Sequence, residues 1–149
     1  MKSILGFIIP LVLTGVVFSA PCDSENQNPN PGIPSTSCQY SMTSYHVGLQ
    51  THGLFFIDNG ESVAHGGKNY KMRFYVTSAS PDYNAIQALA QTGFAFQDRL
   101  NVIFPNFSSS TNFAGSCNTL DNVKCCTNVD GEGKPAYMYC PIQAITVHK

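Results

Sequence analysis

Six cysteines constrain this chain more than any other feature, because each disulfide bond limits the folds that a chain can reach. An even number of cysteines in an exported protein predicts disulfide bonds, here three. About fifteen connectivities are open to six cysteines. Neighbouring cysteines rarely bond to each other, so we expect the adjacent pair near the C-terminus to face opposite ways and to join two different parts of the chain. The six are Cys22, Cys38, Cys117, Cys125, Cys126 and Cys140.

Zinc is the alternative use of clustered cysteines, since thiolates and imidazoles are its usual ligands. No two cysteines have the C-x-x-C spacing, and no histidine lies close to them in the sequence. The acidic residues also lack the spacing of a calcium loop. The segment 131–134 lacks the upstream glycine and the Ser or Thr of a phosphate-binding loop. We therefore expect disulfides, with no metal site and no cofactor.

The N-terminal segment predicts export. Lys2 precedes an apolar run over residues 4–18, which is too short and too close to the N-terminus for a membrane span, and no similar run follows. We expect a signal peptide over residues 1–19 and a secreted, extracellular protein. With eight Lys and Arg against nine Asp and Glu, the chain has no broad electrostatic attraction for nucleic acid or anionic lipid. We expect a monomer with no DNA partner and no membrane partner.

The mature chain divides by composition into an arm and a body. Residues 20–39 are rich in Pro and Asn and cannot bury enough apolar surface to order themselves, which predicts an extended arm. Residues 40–149 predict a single globular domain with a cysteine-rich C-terminal region. Its fold class is expected to be α+β, a small disulfide-stapled antiparallel sheet with one or two short helices.

Alternation of apolar and polar residues predicts strands at residues 45–50 and 71–77. Apolar β-branched residues predict another at 100–104, a polar loop is expected over 106–118, and residues 136–138 are expected to form an edge. In the strand at 71–77, one face is apolar. The side chains expected on its other face are those of Lys71, Arg73, Tyr75 and Thr77.

Gly, Pro and Asn mark the turns and the helix. We expect a turn at Asp58-Asn59-Gly60 and a second at Gly66-Gly67. Ser80-Pro81-Asp82 has the pattern of a helix start, with a cap residue and Pro at the first helical position. The apolar spacing that follows predicts a helix over residues 81–91, which Gly93 would end.

Three kinds of candidate site stand out. Arg73 and Tyr75, with Tyr70 nearby, could stack on a base or a sugar, although ordinary cross-strand pairing is the simpler interpretation. A histidine with a carboxylate could act as acid and base on a ribose 2′-hydroxyl, and His46 falls on the polar face of its strand. Asn106 begins the sequon N-F-S and is a candidate for glycosylation in an exposed loop, against an unmodified loop asparagine.

Short motifs in residues 61–115, about a third of the chain, resemble a known family. In order they are Lys68-Asn69-Tyr70, Val76-Thr77-Ser78, Pro81-Asp82-Tyr83, Asp98-Arg99-Leu100, Val102-Ile103-Phe104 and Ala114-Gly115. Together they resemble the small secreted microbial ribonucleases that cleave RNA after guanosine. The resemblance implies that Arg99 stabilises the phosphorane and that His65, offset by one residue, matches the first catalytic histidine.

Two catalytic positions of that family lack a suitable residue here. The glutamate base would fall near Asn84, which cannot accept a proton, and the second histidine near residues 117–119, where there is none. Such a site should be inactive. This pattern resembles the ribonuclease-like secreted effectors of plant-pathogenic fungi, such as the powdery mildews, which bind host proteins or RNA and are delivered into the host.

The resemblance therefore implies a secreted, non-enzymatic binding protein, an effector on a ribonuclease-like scaffold that acts on a host protein or RNA. One alternative is an active ribonuclease that uses His65 and Arg99 with a base elsewhere in the chain. The other is a lectin-like or inhibitor-like extracellular module that binds through the loops around Asn106 and Asp130. The first two differ in whether His65, Arg99 and a carboxylate meet in one cleft.

Overall fold

A computed structural model describes residues 37–50 and 53–149 of this chain. The predicted signal peptide, most of the predicted arm and Cys22 lie outside the described residues. The end of the predicted arm, residues 37–39, belongs to the first strand. The described elements are β1 (Ser37–Met42), β2 (His46–Gln50), β3 (Leu54–His65), β4 (Lys68–Thr77), α1 (Tyr83–Phe96), β5 (Arg99–Pro105), β6 (Phe113–Ser116), β7 (Cys125–Val129), β8 (Pro135–Pro141) and β9 (Ala144–His148).

Two sheets organise these strands. A three-stranded sheet has the order β1-β5-β9, and a six-stranded sheet has the order β2-β3-β4-β8-β7-β6. With one helix among the described residues, the class leans further toward β than the predicted α+β fold, with which it is compatible. The sheet is also not purely antiparallel, because β4 pairs with β8 and β6 with β7 in parallel. The β4–β8 pair joins segments that are far apart in the sequence, and local sequence patterns do not reveal such a pairing.

The strand β4 separates two packing environments, as the alternation of its residues predicts. Tyr70, Met72, Phe74 and Val76 are buried in the main core, which also contains side chains from α1, β1, β5, β8 and β9. On the opposite face, which we call the outer face, Tyr75 belongs to a second, smaller cluster. The sheet therefore has apolar packing on both faces. Residues 136–138 lie within β8, between β4 and β7, so the edge expected there is wrong.

The adjacent cysteines of β7 face opposite ways, as predicted. Cys125 bonds to Cys140 in the main core, and Cys126 bonds to Cys117 on the outer face. Cys38 is disulfide-bonded as well. The bond of Cys125 therefore joins β7 to β8 on the main-core side of the sheet. The bond of Cys126 joins β7 to the loop between β6 and β7 on the outer face. The segment predicted as a polar loop over 106–118 contains the short strand β6.

The helix is displaced from its predicted position. It begins at Tyr83 with Asp82, not Ser80, at the cap position, and the Ser80 hydroxyl accepts a hydrogen bond from the backbone N–H of Asp82 (3.3 Å) in the turn before the helix. It then continues past Gly93 to Phe96, and Gln97 ends it in a left-handed conformation (φ 55°). A Cβ at Gly93 would lie 2.6 Å from the Tyr45 hydroxyl. Gly93 therefore serves close packing inside the helix and does not end it.

The two predicted turns have different outcomes. Gly66 and Gly67, at φ 57° and 73°, form the turn of the β3–β4 hairpin, as predicted. The turn predicted at residues 58–60 is wrong, because β3 runs through this segment. There the register with β4 shifts between Asp58 and Ser62, and Gly60 has φ 76°. A glycine with positive φ is suited to a bulge as well as to a turn. Which of the two forms depends on whether the flanking residues pair with another strand, and here they pair with β4.

Candidate functional site

Four polar side chains form one row across the outer face of the six-stranded sheet. His46 on β2 lies opposite Asp58 on β3, Asp58 lies opposite Arg73 on β4, and Arg73 lies opposite Tyr139 on β8. We call these four residues the Arg73 row. Residues directly opposite on neighbouring strands approach closely enough to interact, so the register alone brings these groups together.

The guanidinium of Arg73 is the centre of this row. Its Nε and Nη2 atoms donate hydrogen bonds to one carboxylate oxygen of Asp58 at 3.1 and 3.0 Å, and Nη1 donates to the Tyr139 hydroxyl at 3.3 Å. The rings of Phe56 and Tyr137 lie 4.3 and 3.9 Å from its central carbon. Only 11% of the Arg73 side chain is exposed. A planar guanidinium is suited to such simultaneous stacking and hydrogen bonding.

A glycine on the edge strand makes room for one of these rings. Gly48 lies opposite Phe56, and a Cβ at this position would overlap the Phe56 ring. The ring can therefore lie across β2 and still contact Arg73. At the outer end of the row, His46 Nδ1 is 3.7 Å from the second carboxylate oxygen of Asp58, and the His46 side chain is 77% exposed. The row thus runs from a buried cation to an exposed imidazole.

Tyr75 is fully buried beneath the loop that follows Cys117. Its hydroxyl accepts a hydrogen bond from the backbone N–H of Asn122 at 3.3 Å, and the Asn122 side chain in turn bonds to Thr77. Burial raises the pKa of Tyr75 to about 12. Tyr70 points into the main core on the other face of β4. Among the three predicted ligand-binding residues, only Arg73 and Tyr75 share a face, and both are held by protein groups.

His65 and Arg99 are placed near opposite ends of β5. The His65 ring lies 4.3 Å from that of Phe113 and 5.7 Å from that of Phe107, which follows the C-terminal end of β5. Arg99 is exposed at the first position of β5. Seven residues at about 3.3 Å per step give β5 a length of about 20 Å. The structure does not bring these two predicted catalytic residues into one cleft.

Asn106 lies in a tight turn after β5. Its side-chain oxygen accepts a hydrogen bond from the backbone N–H of Ser108 at 3.0 Å, and Phe107 between them is buried. This is the local geometry that Asn adopts in turns. The bond uses the amide oxygen, whereas a glycan attaches to the amide nitrogen. Glycosylation of Asn106 stays a prediction.

Sequence reasoning missed most of the Arg73 row. A turn was expected at Asp58, which removed this residue from the strand, and the aromatic residues of β8 were assigned to an edge. One signal was present: alternation continued from Leu54 places Phe56 and Asp58 on the same face. Tyr137 and Tyr139 carry no such local signal, because β8 pairs with a strand more than sixty residues earlier.

A separate cavity of about 550 Å³ lies where the β1–β2 turn meets the C-terminal end of α1. We call it the helix-end cavity; its lining residues are Thr43, Ser44, Tyr45, Phe94, Ala95 and Gln97. Burial, and then the charge of Asp98, raise the pKa of Tyr45. The Tyr45 hydroxyl is buried and has no hydrogen-bond partner within the described part of the chain.

Two further findings concern only residues 37–50 and 53–149. Their His, Cys, Asp and Glu side chains form no group of three or more that could hold a metal ion. No helix in this part of the chain is long and apolar enough to cross a membrane. Within the described residues, the two candidate sites are the Arg73 row and the helix-end cavity.

Replacement of Arg73 by Lys tests whether the row stabilises the fold. Lys keeps the charge but loses the planar contact with the two rings and part of the hydrogen bonding, so we expect Arg73→Lys to lower the free energy of unfolding by about 1–3 kcal/mol. Urea unfolding measures the difference. Arg99→Lys, the same change at an exposed position, should alter it by less than about 0.5 kcal/mol. Equal stability of the two variants would mean that Arg73 is not a structural tie.

The raised pKa of Tyr75 predicts a pH dependence of stability. Its phenol titrates at about 12 in the folded protein and at about 10 in the unfolded chain. Between these values the unfolded state has lost a proton that the folded state keeps, so the free energy of unfolding falls as the pH rises from about 10 to about 12. Tyr75→Phe should reduce this decline in urea unfolding, and Tyr83→Phe should preserve it. An unchanged decline in Tyr75→Phe would contradict the assignment.

Comparison with known proteins gives no relative from which a function could be transferred. No protein-family model, no curated protein and no solved structure matches this chain. The functional argument therefore rests on the structure of the chain itself.

Proposed function

We propose that this chain is a secreted, disulfide-stapled, non-enzymatic binding protein, an effector on a ribonuclease-like scaffold whose target is a host protein. The observation that carries the proposal is the pair of exposed aromatic residues at the end of α1. Phe94 is 47% exposed and Phe96 is 73% exposed. Large exposed apolar side chains are typical of protein interaction sites, and aromatic residues are enriched in interface cores.

The last turns of α1 present apolar groups on both flanks of the helix. Ile86 and Gly93, seven residues apart, mark its buried stripe. Phe96 is seven residues after the exposed Leu89 and therefore lies above the same flank, whereas Phe94 lies on the opposite flank beside Tyr45, with the two ring centroids 6.1 Å apart. Burial of one Phe side chain in an interface is worth about 1.5–3 kcal/mol. Both flanks could contribute to a protein interface.

The arrangement of the other candidate residues supports a binding function over catalysis. His65 packs against phenylalanine rings, whereas Arg99 is the first residue of β5, at the end of that strand far from His65. Arg73 donates its hydrogen bonds to Asp58 and Tyr139 within the protein. A cation enclosed by its own aromatic residues has little surface left for a phosphate group. An RNA target is also less well supported, since the chain has a net charge of −1.

A ribonuclease is the second candidate, and the Arg73 row is the observation that favours it. Asp58 would take the proton of a ribose 2′-hydroxyl, His46 would protonate the leaving oxygen, and Arg73 would stabilise the phosphorane. In this candidate, Asp58 takes the role of the glutamate base that has no counterpart near Asn84. Against this candidate, Asp58 already accepts two hydrogen bonds from Arg73, and that guanidinium is 11% exposed.

A cleavage assay separates the two candidates. We expect the oxidised protein to leave total RNA and guanosine-containing dinucleotides intact, because the Asp58 carboxylate is already hydrogen-bonded to the Arg73 guanidinium. Product formation would be measured by chromatography. Turnover that is lost in both His46→Ala and Asp58→Asn, and kept in the exposed-site variant His148→Ala, would overturn the non-enzymatic proposal and establish the ribonuclease.

Site-specific photo-crosslinking tests the proposed binding surface. A photoreactive phenylalanine analogue at position 96 should capture a discrete host protein from a host extract, because the native side chain there is the most exposed aromatic group of α1. The same analogue at Val129, which is 55% exposed on β7, is the matched control and should capture nothing at the same mass. Identical products from both positions would contradict a binding surface on α1.

A further inference from the structure

We propose that the helix-end cavity binds the guanidinium of an arginine side chain presented by the partner protein. The inference rests on the proposed function, since it names the chemistry by which that partner would be recognised. It is carried by a cavity that lies at the C-terminal end of a helix, has an aromatic residue in its lining, and has a carboxylate, Asp98, next in sequence to the lining residue Gln97. Each of these groups attracts a cation, and the cavity has room for one.

The end of α1 is electrostatically negative. The carbonyl oxygens of Gly93 and Phe94 accept hydrogen bonds from the backbone of Asp98 and Gln97. The aligned peptide dipoles still leave a partial negative charge at a helix C-terminus, which basic residues of the last turn commonly offset. The last turn of α1 has no basic residue. Asp98 adds a carboxylate at this helix end, where its backbone N–H donates a hydrogen bond to the Gly93 carbonyl oxygen at 2.9 Å. The cavity therefore lies at a helix end to which the next residue adds a carboxylate of the same sign.

No basic side chain of the described residues neutralises this charge. Within residues 37–50 and 53–149, Asp98 forms no ion pair. Arg99 is adjacent in sequence but points to the other face of β5, because Leu100 faces the main core. Val147, the partner of Leu100 on β9, is the residue that contacts α1 at Gly93. Arg99 and the helix thus lie on opposite sides of the three-stranded sheet.

Aromatic and polar groups complete the lining. The Phe94 ring forms one wall and packs edge-on against Tyr45, so a planar cation can lie against an aromatic surface. The hydroxyls of Thr43 and Ser44 and the side-chain carbonyl of Gln97 are hydrogen-bond acceptors. A guanidinium has five N–H donors in one plane, whereas an ammonium has three donors and no flat face. This lining favours Arg over Lys.

The protein already holds one of its own guanidinium groups with the same set of partners. Arg73 lies between two aromatic rings, bonded to a carboxylate and a hydroxyl. The helix-end cavity offers an aromatic ring, a nearby carboxylate and hydroxyls, without an internal cation among the residues that line it. Its volume of about 550 Å³ falls within the range of about 300–1,000 Å³ in which proteins bind small ligands.

The test uses a small arginine probe on the secreted, oxidised protein labelled with ¹⁵N. N-acetyl-arginine-N-methylamide is titrated while the backbone amide signals are followed by NMR, and the citrulline analogue is the uncharged isosteric control. We expect saturable shifts at Ser44, Ala95 and Gln97, and an affinity for the arginine probe about three-fold or more above that for citrulline. Raising the salt from about 0.1 M to about 1 M should weaken the arginine probe selectively.

Two variants of equal charge sharpen the result. Asp98→Asn should weaken the arginine probe about three-fold. Asp82→Asn removes the same charge at the other end of α1, where Asp82 makes no side-chain cap bond, and should leave the affinity unchanged. Equal effects of the two variants, equal binding of arginine and citrulline, or shifts confined to other regions would each overturn the arginine site.

Failure of the arginine site and failure of the proposed function give different results. A protein captured at position 96 whose binding is unaffected by Asp98→Asn, and not reduced by excess arginine probe, would leave the binding function standing and overturn the arginine site. Specific binding of the arginine probe, without a protein captured at position 96, would support the cavity and overturn the protein-binding function. Capture that both Asp98→Asn and the probe reduce would support both.

Discussion

The two disulfides that leave β7 in opposite directions are the constraint on which the rest of the structure depends. Successive side chains of a strand point to opposite faces, so Cys125 reaches the main core while Cys126 reaches the outer face. A chain with few charges and a small core gains from both bonds. The outer bond also holds the loop whose Asn122 covers Tyr75. The sheet thereby gains a second apolar layer.

That second layer explains why the Arg73 row is buried and paired within the protein. A charge beneath an apolar layer is costly unless it is paired and hydrogen-bonded, and here Asp58, Tyr139 and two aromatic rings meet that requirement. The side chains that resemble a ligand platform in the sequence therefore form internal packing. Exposed aromatic surface occurs instead on α1, where Phe94 and Phe96 have no such cover. The exposed aromatic surface therefore lies on α1, whereas the Arg73 row lies on strands of the six-stranded sheet.

Predictions that depended on neighbours in sequence were the more successful ones. The alternation of β4, the Gly66-Gly67 hairpin and the opposed cysteines follow from local geometry, and the structure has all three. Gly93 was misassigned because its role is set by Tyr45, nearly fifty residues away. The row of His46, Asp58 and Arg73 depends on the register of three strands, which short motifs do not encode. The same is true of the parallel partner that places Tyr139 beside Arg73.

The parallel pairing of β4 with β8 has a consequence for the order in which the chain can fold. Arg73 and Tyr139 are 66 residues apart, and α1, β5, β6 and β7 must all emerge before the centre of the large sheet can close. Contacts between such distant segments slow folding, because the entropy of loop closure is lost before the contact forms. Until β8 arrives, the β3–β4 hairpin presents a long unpaired edge, the kind of surface that aggregates. During synthesis, which delivers the N-terminal segments first, this interval lasts until residues 135–141 have emerged.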